Sequence, residues 1–107
     1  MSKTDRTLGL LGLSRKAGKT ASGDFQVTEA LQSGAACLVL LARDASENTR
    51  KRFLDKSAFY AVDCLETCYS KQELGRAMGQ EERSVAAVCD EGLAALVRQS
   101  VGQNTER

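Results

Sequence analysis

Few segments of this chain combine residue types that could do chemistry, and the first runs from Gly12 to Thr20. It nearly matches a phosphate-binding loop, in which consecutive backbone N–H groups wrap a phosphate and a lysine reaches over it. That loop needs four residues between its two glycines, whereas five residues separate Gly12 from Gly18. We therefore predict a basic helix end and turn here, and not a nucleotide site.

Side chains for acid–base catalysis are scarce. The chain contains no histidine, which excludes catalysis by histidine and removes the commonest transition-metal ligand. Adjacent carboxylates occur at Glu81 with Glu82 and at Asp90 with Glu91, but neighbouring side chains point apart on a regular element. We therefore predict that these carboxylates are solvated charges, and we expect no cofactor and no small-molecule substrate.

Four cysteines are present, and only Cys64 and Cys68 are close in sequence, with a C-x3-C spacing that does not suit a four-thiolate zinc site. Free cysteine is among the most buried residue types. We predict that Cys37, Cys64, Cys68 and Cys89 pack as small apolar side chains and bind no metal. A redox or metal-binding role for Cys64 and Cys68 stays open as an alternative.

A second segment, residues 15–26, places three cations, two glycines and an aromatic residue before and across a predicted helix start. The free N–H groups and positive dipole of a helix N-terminus attract phosphate. Gly23 would let a backbone approach closely, Phe25 could stack on an unpaired base, and Gln26 could bond a base edge. This combination suits RNA. The competing interpretation is that Phe25 packs in the core and the cations are solvated.

Length and charge fit one domain over residues 1–107 with a frayed tail from about residue 102. The 107 residues are 42% apolar and carry a formal net charge of +1, which is typical of a single globular domain. Residues 1–20 hold five basic side chains and one acidic side chain, so the positive charge is concentrated at one end. No signal peptide or apolar span is evident, so we expect a cytoplasmic protein, and we expect a monomer.

Helices and strands alternate along the whole chain, which predicts an α/β fold built as a three-layer α/β/α sandwich around about four strands. In the first part of the chain we predict a helix capped by Thr4 and Asp5 and ending near Gly18, an extended piece over 19–21, and a helix with Ser22 as N-cap ending at Gly34. The middle part contains a predicted buried strand over 37–42, a helix capped by Asp44 or Ser46 and running to about Ala58, and a strand over 61–65. The last part contains a short helix begun by a capping box at Ser70 and Glu73 and ended by Gly79, a buried strand over 85–89, and a last helix capped by Asp90.

The helices are predicted to bury one apolar face each. The core-facing residues are Leu8, Leu10, Leu11 and Leu13 in the first helix, Val27, Ala30 and Leu31 in the second, Leu74, Ala77 and Met78 in the fourth, and Leu93, Leu96 and Val97 in the last. In the third helix, Arg50, Lys51 and Arg52 diverge by about 100° from one residue to the next. We predict that these three cations form a solvated face.

Several segments, taken in order, resemble the superfamily of ribosomal proteins L7Ae and L30e, and in particular its bacterial YlxQ-like branch. The matching segments cover residues 11–19, 22–23, 30–34, 38–49 and 70–79, and the resemblance extends over roughly residues 5–101. It implies a three-layer α/β/α domain with a mixed sheet of about four strands. It also implies a ribosome-associated protein, without catalysis, that recognises kink-turn or other internal-loop RNA.

The resemblance also implies where RNA would bind. In the family one region is the N-terminus of the second helix, with the pattern Gly-x-Asn-Glu-x-x-Lys, and the other is the loop between the fourth helix and the last strand. On this sequence the first region begins at Gly23 and the second covers residues 79–85. The predicted RNA-binding residues are Arg15, Lys16, Lys19, Ser22, Gly23, Phe25, Gln26 and Arg83.

This chain departs from the family pattern at three positions after Gly23. Phe25 replaces the Asn, Gln26 replaces the Glu and Glu29 replaces the Lys. Each lost base contact would cost about 1–3 kcal/mol of binding free energy, so we expect less selective, salt-sensitive binding held by cations on phosphate. Because acidic residues also occupy the second region, the alternative is a protein-interaction module that kept the fold and lost RNA binding.

Overall fold

The computed structural model describes residues 6–104, and the side chains of residues 6–101. Five helices and four strands alternate over this range, as predicted. Their bounds are α1 Arg6–Lys16, β1 Thr20–Ser22, α2 Asp24–Ser33, β2 Leu38–Leu41, α3 Glu47–Phe59, β3 Asp63–Glu66, α4 Lys71–Ala77, β4 Val85–Val88 and α5 Glu91–Asn104.

The four strands form one mixed sheet in the order β1-β4-β2-β3. β4 pairs antiparallel with both β1 and β2, whereas β3 pairs parallel with β2. All residues of β2 and β4 are buried, because these uninterrupted apolar runs lie at the centre of the sheet with helices on both faces. The prediction of two buried central strands is confirmed.

Two apolar clusters cover the two faces of the sheet and confirm the three layers. Alternate strand residues point to opposite faces, so Leu38 and Leu40 join α1, α4 and α5, whereas Val39 and Leu41 join α2 and α3. The three-layer α/β/α sandwich with a mixed sheet of four strands is therefore correct.

Local signals in the sequence set several helix boundaries. Ser70 and Glu73 form the predicted capping box, with Ser70 Oγ accepting from Glu73 N at 3.0 Å and Glu73 Oε1 accepting from Ser70 N at 2.9 Å. Gly34 ends α2 in the left-handed conformation, and Asp90 Oδ2 accepts from Leu93 N at 2.9 Å at the start of α5. These predictions are confirmed.

Two predicted caps are wrong. Ser22 does not cap α2, because it pairs with Ala86 as the last residue of β1 and Gly23 takes the N-cap position. Of the two candidates for the N-cap of α3, Ser46 is correct, since its Oγ accepts from Thr49 N at 3.1 Å. Asp44 does not cap α3; its carboxylate instead accepts from the backbone N–H of Lys71 at 2.8 Å. The predicted caps at residues 4 and 5 lie outside the described residues.

Two predicted core residues, the start of one predicted strand and the end of the last predicted helix also differ from the structure. Leu13 is 57% exposed, and Leu96 is exposed as well, because each lies on the outer side of its helix while Leu11 and Val97 face the sheet. The strand predicted over 61–65 begins later, at Asp63, after a turn in which Ala61 has a φ of 59°. Helix α5 continues to Asn104 and does not end before residue 102.

One end of the sheet gathers the parts of the candidate site. Ser22, Leu41, Glu66 and Val85 all lie at this end, because Leu41 pairs with Val85 and with Glu66 while β1 finishes beside the start of β4. We call it the Val85 end. Helices α2, α3 and α4 all begin there, so three helix N-termini lie at one end of the domain.

Candidate nucleic-acid interface

Gly23 forms the junction between β1 and α2. Its φ of 89° and ψ of 160° lie in a region that is essentially restricted to glycine. The Gly23 N–H donates to the Val85 carbonyl at 3.0 Å, and its own carbonyl accepts from Val27 N at 3.0 Å. One residue thus ends the sheet pairing and begins the helix, and no side chain caps the N-terminus of α2.

Phe25 and Gln26, two of the predicted RNA-binding residues, have different surroundings. Phe25 is 74% exposed, so the interpretation that it packs in the core is wrong. Gln26 turns back over the start of the helix, and its Oε1 accepts from Ser22 N at 3.2 Å. The oxygen of this amide is therefore used within the protein, while its NH2 group remains a donor on the exposed surface.

Arg83 lies against Gly23. Its Nε and Cδ are 3.7 and 3.8 Å from the position that a β-carbon on Gly23 would occupy. The guanidinium is held by its own loop, since Nη1 donates to the Glu82 carbonyl at 2.8 Å and Nη2 donates to Gln80 Oε1 at 3.1 Å. The fold therefore places a pre-oriented guanidinium beside the N-terminus of α2 and brings the two predicted regions together.

A groove of about 430 Å³ opens between the start of α2 and this loop. Phe25 stands exposed at its edge, and its acidic members are Asp24 and Glu82. Asp24 is ion-paired with Arg52 of α3, and Arg83 is the cation within the groove. Opposite charges are thus balanced among these four side chains. The lining residues are Ser22, Gly23, Asp24, Phe25, Gln26, Glu82, Arg83 and Ser84.

The three predicted cations near the end of α1 are placed differently. The Arg15 guanidinium packs on Gly79, where an added β-carbon would lie 2.9 Å from Cζ, so Arg15 reaches the start of the loop that carries Arg83. Lys19 lies at the opposite end of β1, where its carbonyl accepts from Cys89 N at 2.7 Å. Lys16 is exposed on the last turn of α1. None of these three cations is among the residues that line the groove.

A comparison with protein-family models matches residues 5–97 to the Ribosomal protein L7Ae/L30e/S12e/Gadd45 family. The chain belongs to this family. The predicted resemblance is therefore confirmed, and with it the prediction that the protein is not an enzyme.

Relatives from bacteria agree with the YlxQ-like branch. The RNA-binding protein YlxQ of Bacillus subtilis (strain 168) is 44% identical over 85 residues, covering 79% of this chain and 84% of the relative. The protein of the same name from Enterococcus faecium is 33% identical over 96 residues, covering 90% of this chain and 91% of the relative.

Two solved structures share the fold of this chain. A protein of unknown function from Bacillus halodurans has a TM-score of 0.85 and 36% identity, with 91% of this chain and 97% of that chain covered. The 15.5kD RNA binding protein of Giardia lamblia has a TM-score of 0.75 over 98% of this chain and 90% of that chain. At 20% identity, the second comparison supports the fold alone.

Two cations that the sequence analysis did not assign to the site lie at the Val85 end. The Lys71 carbonyl accepts from Arg83 N at 3.0 Å, so α4 begins beside the loop. The capping box at Ser70 was the available sequence signal, because it marks Lys71 as the first residue of α4. Arg52 was predicted to be solvated together with Arg50. Arg52 is exposed, as predicted, and it also pairs with Asp24, whereas the less exposed Arg50 pairs with Glu47 and Glu66. No local pattern reveals the Arg52 contact, because it joins two helices.

The cysteines provide no metal site in the part of the chain that the structure describes. No group of three or more cysteine or carboxylate side chains could hold an ion there, and all four thiols are free. Burial raises the pKa of Cys64 to about 11, and the neighbouring Ser57 side chain opposes part of this rise. Cys68 is exposed, so the prediction that every cysteine packs as an apolar side chain is wrong for Cys68.

Among residues 6–104, no helix is both long enough and apolar enough to cross a bilayer.

Proposed function

We propose that this protein binds structured RNA at the groove between the start of α2 and the α4–β4 loop. The observation that carries the proposal is the contact between Arg83 and Gly23, which puts a guanidinium next to uncapped backbone N–H groups. Both kinds of group bind phosphate oxygens. The bacterial relatives carry the name RNA-binding protein, which supports the same assignment.

Each groove residue has a separate role in this proposal. A phosphate lies over the start of α2 and accepts from its N–H groups and from Arg83. The exposed ring of Phe25 stacks on an unpaired base, since RNA-binding proteins commonly use aromatic side chains for splayed-out bases. The Gln26 NH2 group donates to a base edge, while its oxygen holds Ser22 N. Together these contacts favour a bulge or internal loop over a plain duplex.

Contacts with the phosphate backbone of the RNA supply most of the binding affinity in this proposal. Arg15 and Arg83 contact phosphates directly, whereas Lys16 and Lys19 add attraction at longer range. Phe25 and Glu29 replace a polar and a cationic residue of the family pattern. The preference in binding free energy for a kink-turn over other internal loops is therefore smaller than that pattern would give. We further propose that the RNA is ribosomal, which would place the protein in the cytoplasm, and that the protein binds it as a monomer.

Fluorescence anisotropy with two labelled RNAs tests the proposal. One RNA is a kink-turn hairpin and the other is the same hairpin with a continuous duplex, each titrated over a range of salt concentrations. We expect binding of the kink-turn to be tighter, and Arg83→Ala to lower the slope of log K against log salt by about one. The control Arg98→Ala removes a cation at the other end of the sheet and should bind as the wild type does.

Two results would overturn the proposal: no binding of either RNA at low salt, or an unchanged affinity for Arg83→Ala. The first would favour a protein-interaction module, a function suggested by the exposed Phe25 beside Glu82 in the groove. Light scattering of the purified protein, with and without RNA, tests whether the protein is a monomer. Cosedimentation with ribosomal subunits tests the ribosomal partner.

A further inference from the structure

We infer that Arg52, which does not line the groove, is a positioning residue for RNA binding because it neutralises Asp24 at the mouth of the groove. This inference rests on the proposed function. Asp24 is the first residue of α2 and lines the groove. Arg52 comes from the middle of α3, and the two side chains form an ion pair between the helices.

The position of Arg52 is fixed by the core. The next residue, Phe53, is completely buried with Val27 and Leu31 of α2, which sets the rotation of α3 against α2. The Arg52 guanidinium carbon lies 5.4 Å from the centre of the Phe53 ring, and Nη2 donates to Asp24 Oδ2. The cation is therefore held above a buried ring and directed at the first residue of α2.

The consequence for RNA comes from the place of Asp24. A carboxylate in the first turn of a helix interacts favourably with the helix dipole, but it occupies the region where a phosphate would approach the same N–H groups and would repel that phosphate. With Arg52 in place this charge is cancelled. Asp24 and Glu82 are then balanced by Arg52 and Arg83, and the groove admits a phosphate without a net negative field.

Removing Arg52 would leave one excess negative charge at the groove. We expect Arg52→Ala to weaken RNA binding on the order of tenfold at low salt, with a smaller effect as salt screens the repulsion. The substitution Arg52→Lys keeps the charge within reach of Asp24 and should bind within about twofold of the wild type, since a point charge suffices to cancel a carboxylate. A bidentate phosphate contact by Arg52 would not tolerate lysine in this way.

A matched control exists elsewhere in the chain. Arg98 and Asp63 form an ion pair with side chains 44% and 63% exposed, close to the 42% and 53% of Arg52 and Asp24. Asp63 pairs with Leu38, at the end of β2 opposite to the Val85 end. Arg98→Ala therefore makes the same change in net charge and breaks the same kind of pair far from the groove.

The experiment measures affinity and salt dependence for the kink-turn RNA with the full-length wild type, Arg52→Ala, Arg52→Lys, Asp24→Asn with Arg52→Ala, and Arg98→Ala. Thermal unfolding of every variant is measured alongside, and only variants that unfold cooperatively near the wild-type temperature are compared. We expect the double variant to recover wild-type affinity and salt slope, because neutral Asn no longer needs a counter-charge. Arg98→Ala should match the wild type.

Four outcomes would overturn the inference. A double variant as weak as Arg52→Ala, with a salt slope lower by about one, would mean that Arg52 contacts phosphate itself. An equal loss in Arg98→Ala would mean that net charge alone matters. If the wild type binds and Arg83→Ala weakens binding while Arg52→Ala has no effect, this inference fails and the proposed function stands. If the wild type binds no RNA, both this inference and the proposed function fail.

Discussion

The carbonyl oxygen of Glu81 passes directly over the α-carbon of Gly75, so closely that a β-carbon on this glycine would lie 1.4 Å from it. Gly75 is buried in α4, and its own carbonyl accepts from Gln80 N at 2.8 Å. The loop that carries Arg83 therefore folds back across the surface of α4, and it can do so only where the helix has no side chain. Gly75 thus positions a groove residue from a distance.

Gly75→Ala should consequently displace the loop. Inserting a methyl group into a packed site costs about 1–3 kcal/mol, and we expect a loss of free energy of unfolding in that range, measured by urea denaturation. RNA affinity should fall as Arg83 moves. Gly12→Ala in α1 is the control: its β-carbon meets no atom within 4 Å, so a gain of about 0.5–1 kcal/mol is expected. Equal stability of Gly75→Ala and the wild type would contradict this prediction.

Gly23→Ala tests backbone strain without a clash. The nearest atoms to an added β-carbon belong to Arg83 at 3.7 Å, which is ordinary contact, but φ is 89°. Holding a non-glycine residue in this region costs about 1–3 kcal/mol, so the urea midpoint should fall. Gly9→Ala, in open space on α1, should raise it. If Gly23→Ala is as stable as the wild type, the junction can adopt another conformation.

Arg15 and Lys19 should contribute unequally to RNA binding. Arg15 packs on the loop at Gly79, so Arg15→Ala should weaken binding to all RNAs and lower the salt slope by about one. Lys19 lies at the far end of β1, and at physiological salt charges are screened beyond about 8 Å. Lys19→Ala should therefore have a smaller effect, measured by the same anisotropy titrations. The reverse order would place the RNA along β1 instead of at the groove.

Thiol reactivity should separate Cys64 from Cys68. Burial raises the pKa of Cys64 from 9.0 to about 11, and only the thiolate reacts with iodoacetamide. At pH 8 we expect Cys68, which is exposed, to be alkylated first and Cys64 to react about 100-fold more slowly than a thiol of ordinary pKa, as followed by peptide mass spectrometry. Rapid labelling of Cys64 in the folded protein would contradict its burial.

The same pKa shift links Cys64 to stability at alkaline pH. Since the folded state holds this proton more tightly than the unfolded state, the stabilisation is complete below pH 9 and is lost as pH rises towards 11. Urea midpoints should fall across this interval, and the fall should be smaller in Cys64→Ala. An identical pH dependence in the two proteins would assign the loss to other groups.

Local sequence signals predicted much of the architecture because they act over a few residues. The capping box at Ser70, the left-handed glycine at Gly34 and the apolar runs of β2 and β4 each gave the correct element. The predictions failed where a distant partner intervened. Ser22 is of a residue type that favours the N-cap, but its pairing with Ala86 places it in β1. Asp44 accepts a hydrogen bond from the start of α4 instead of capping α3.

The candidate site shows the same division. The types and order of residues along the chain determined the α/β alternation, the family resemblance and the two segments that could meet RNA. Only the tertiary structure decided that Arg83 lies on Gly23, that Phe25 faces solvent and that Arg52 cancels Asp24. These contacts join segments far apart in the chain, and their geometry depends on how the helices pack on the sheet, which no short-range pattern of polarity or spacing specifies.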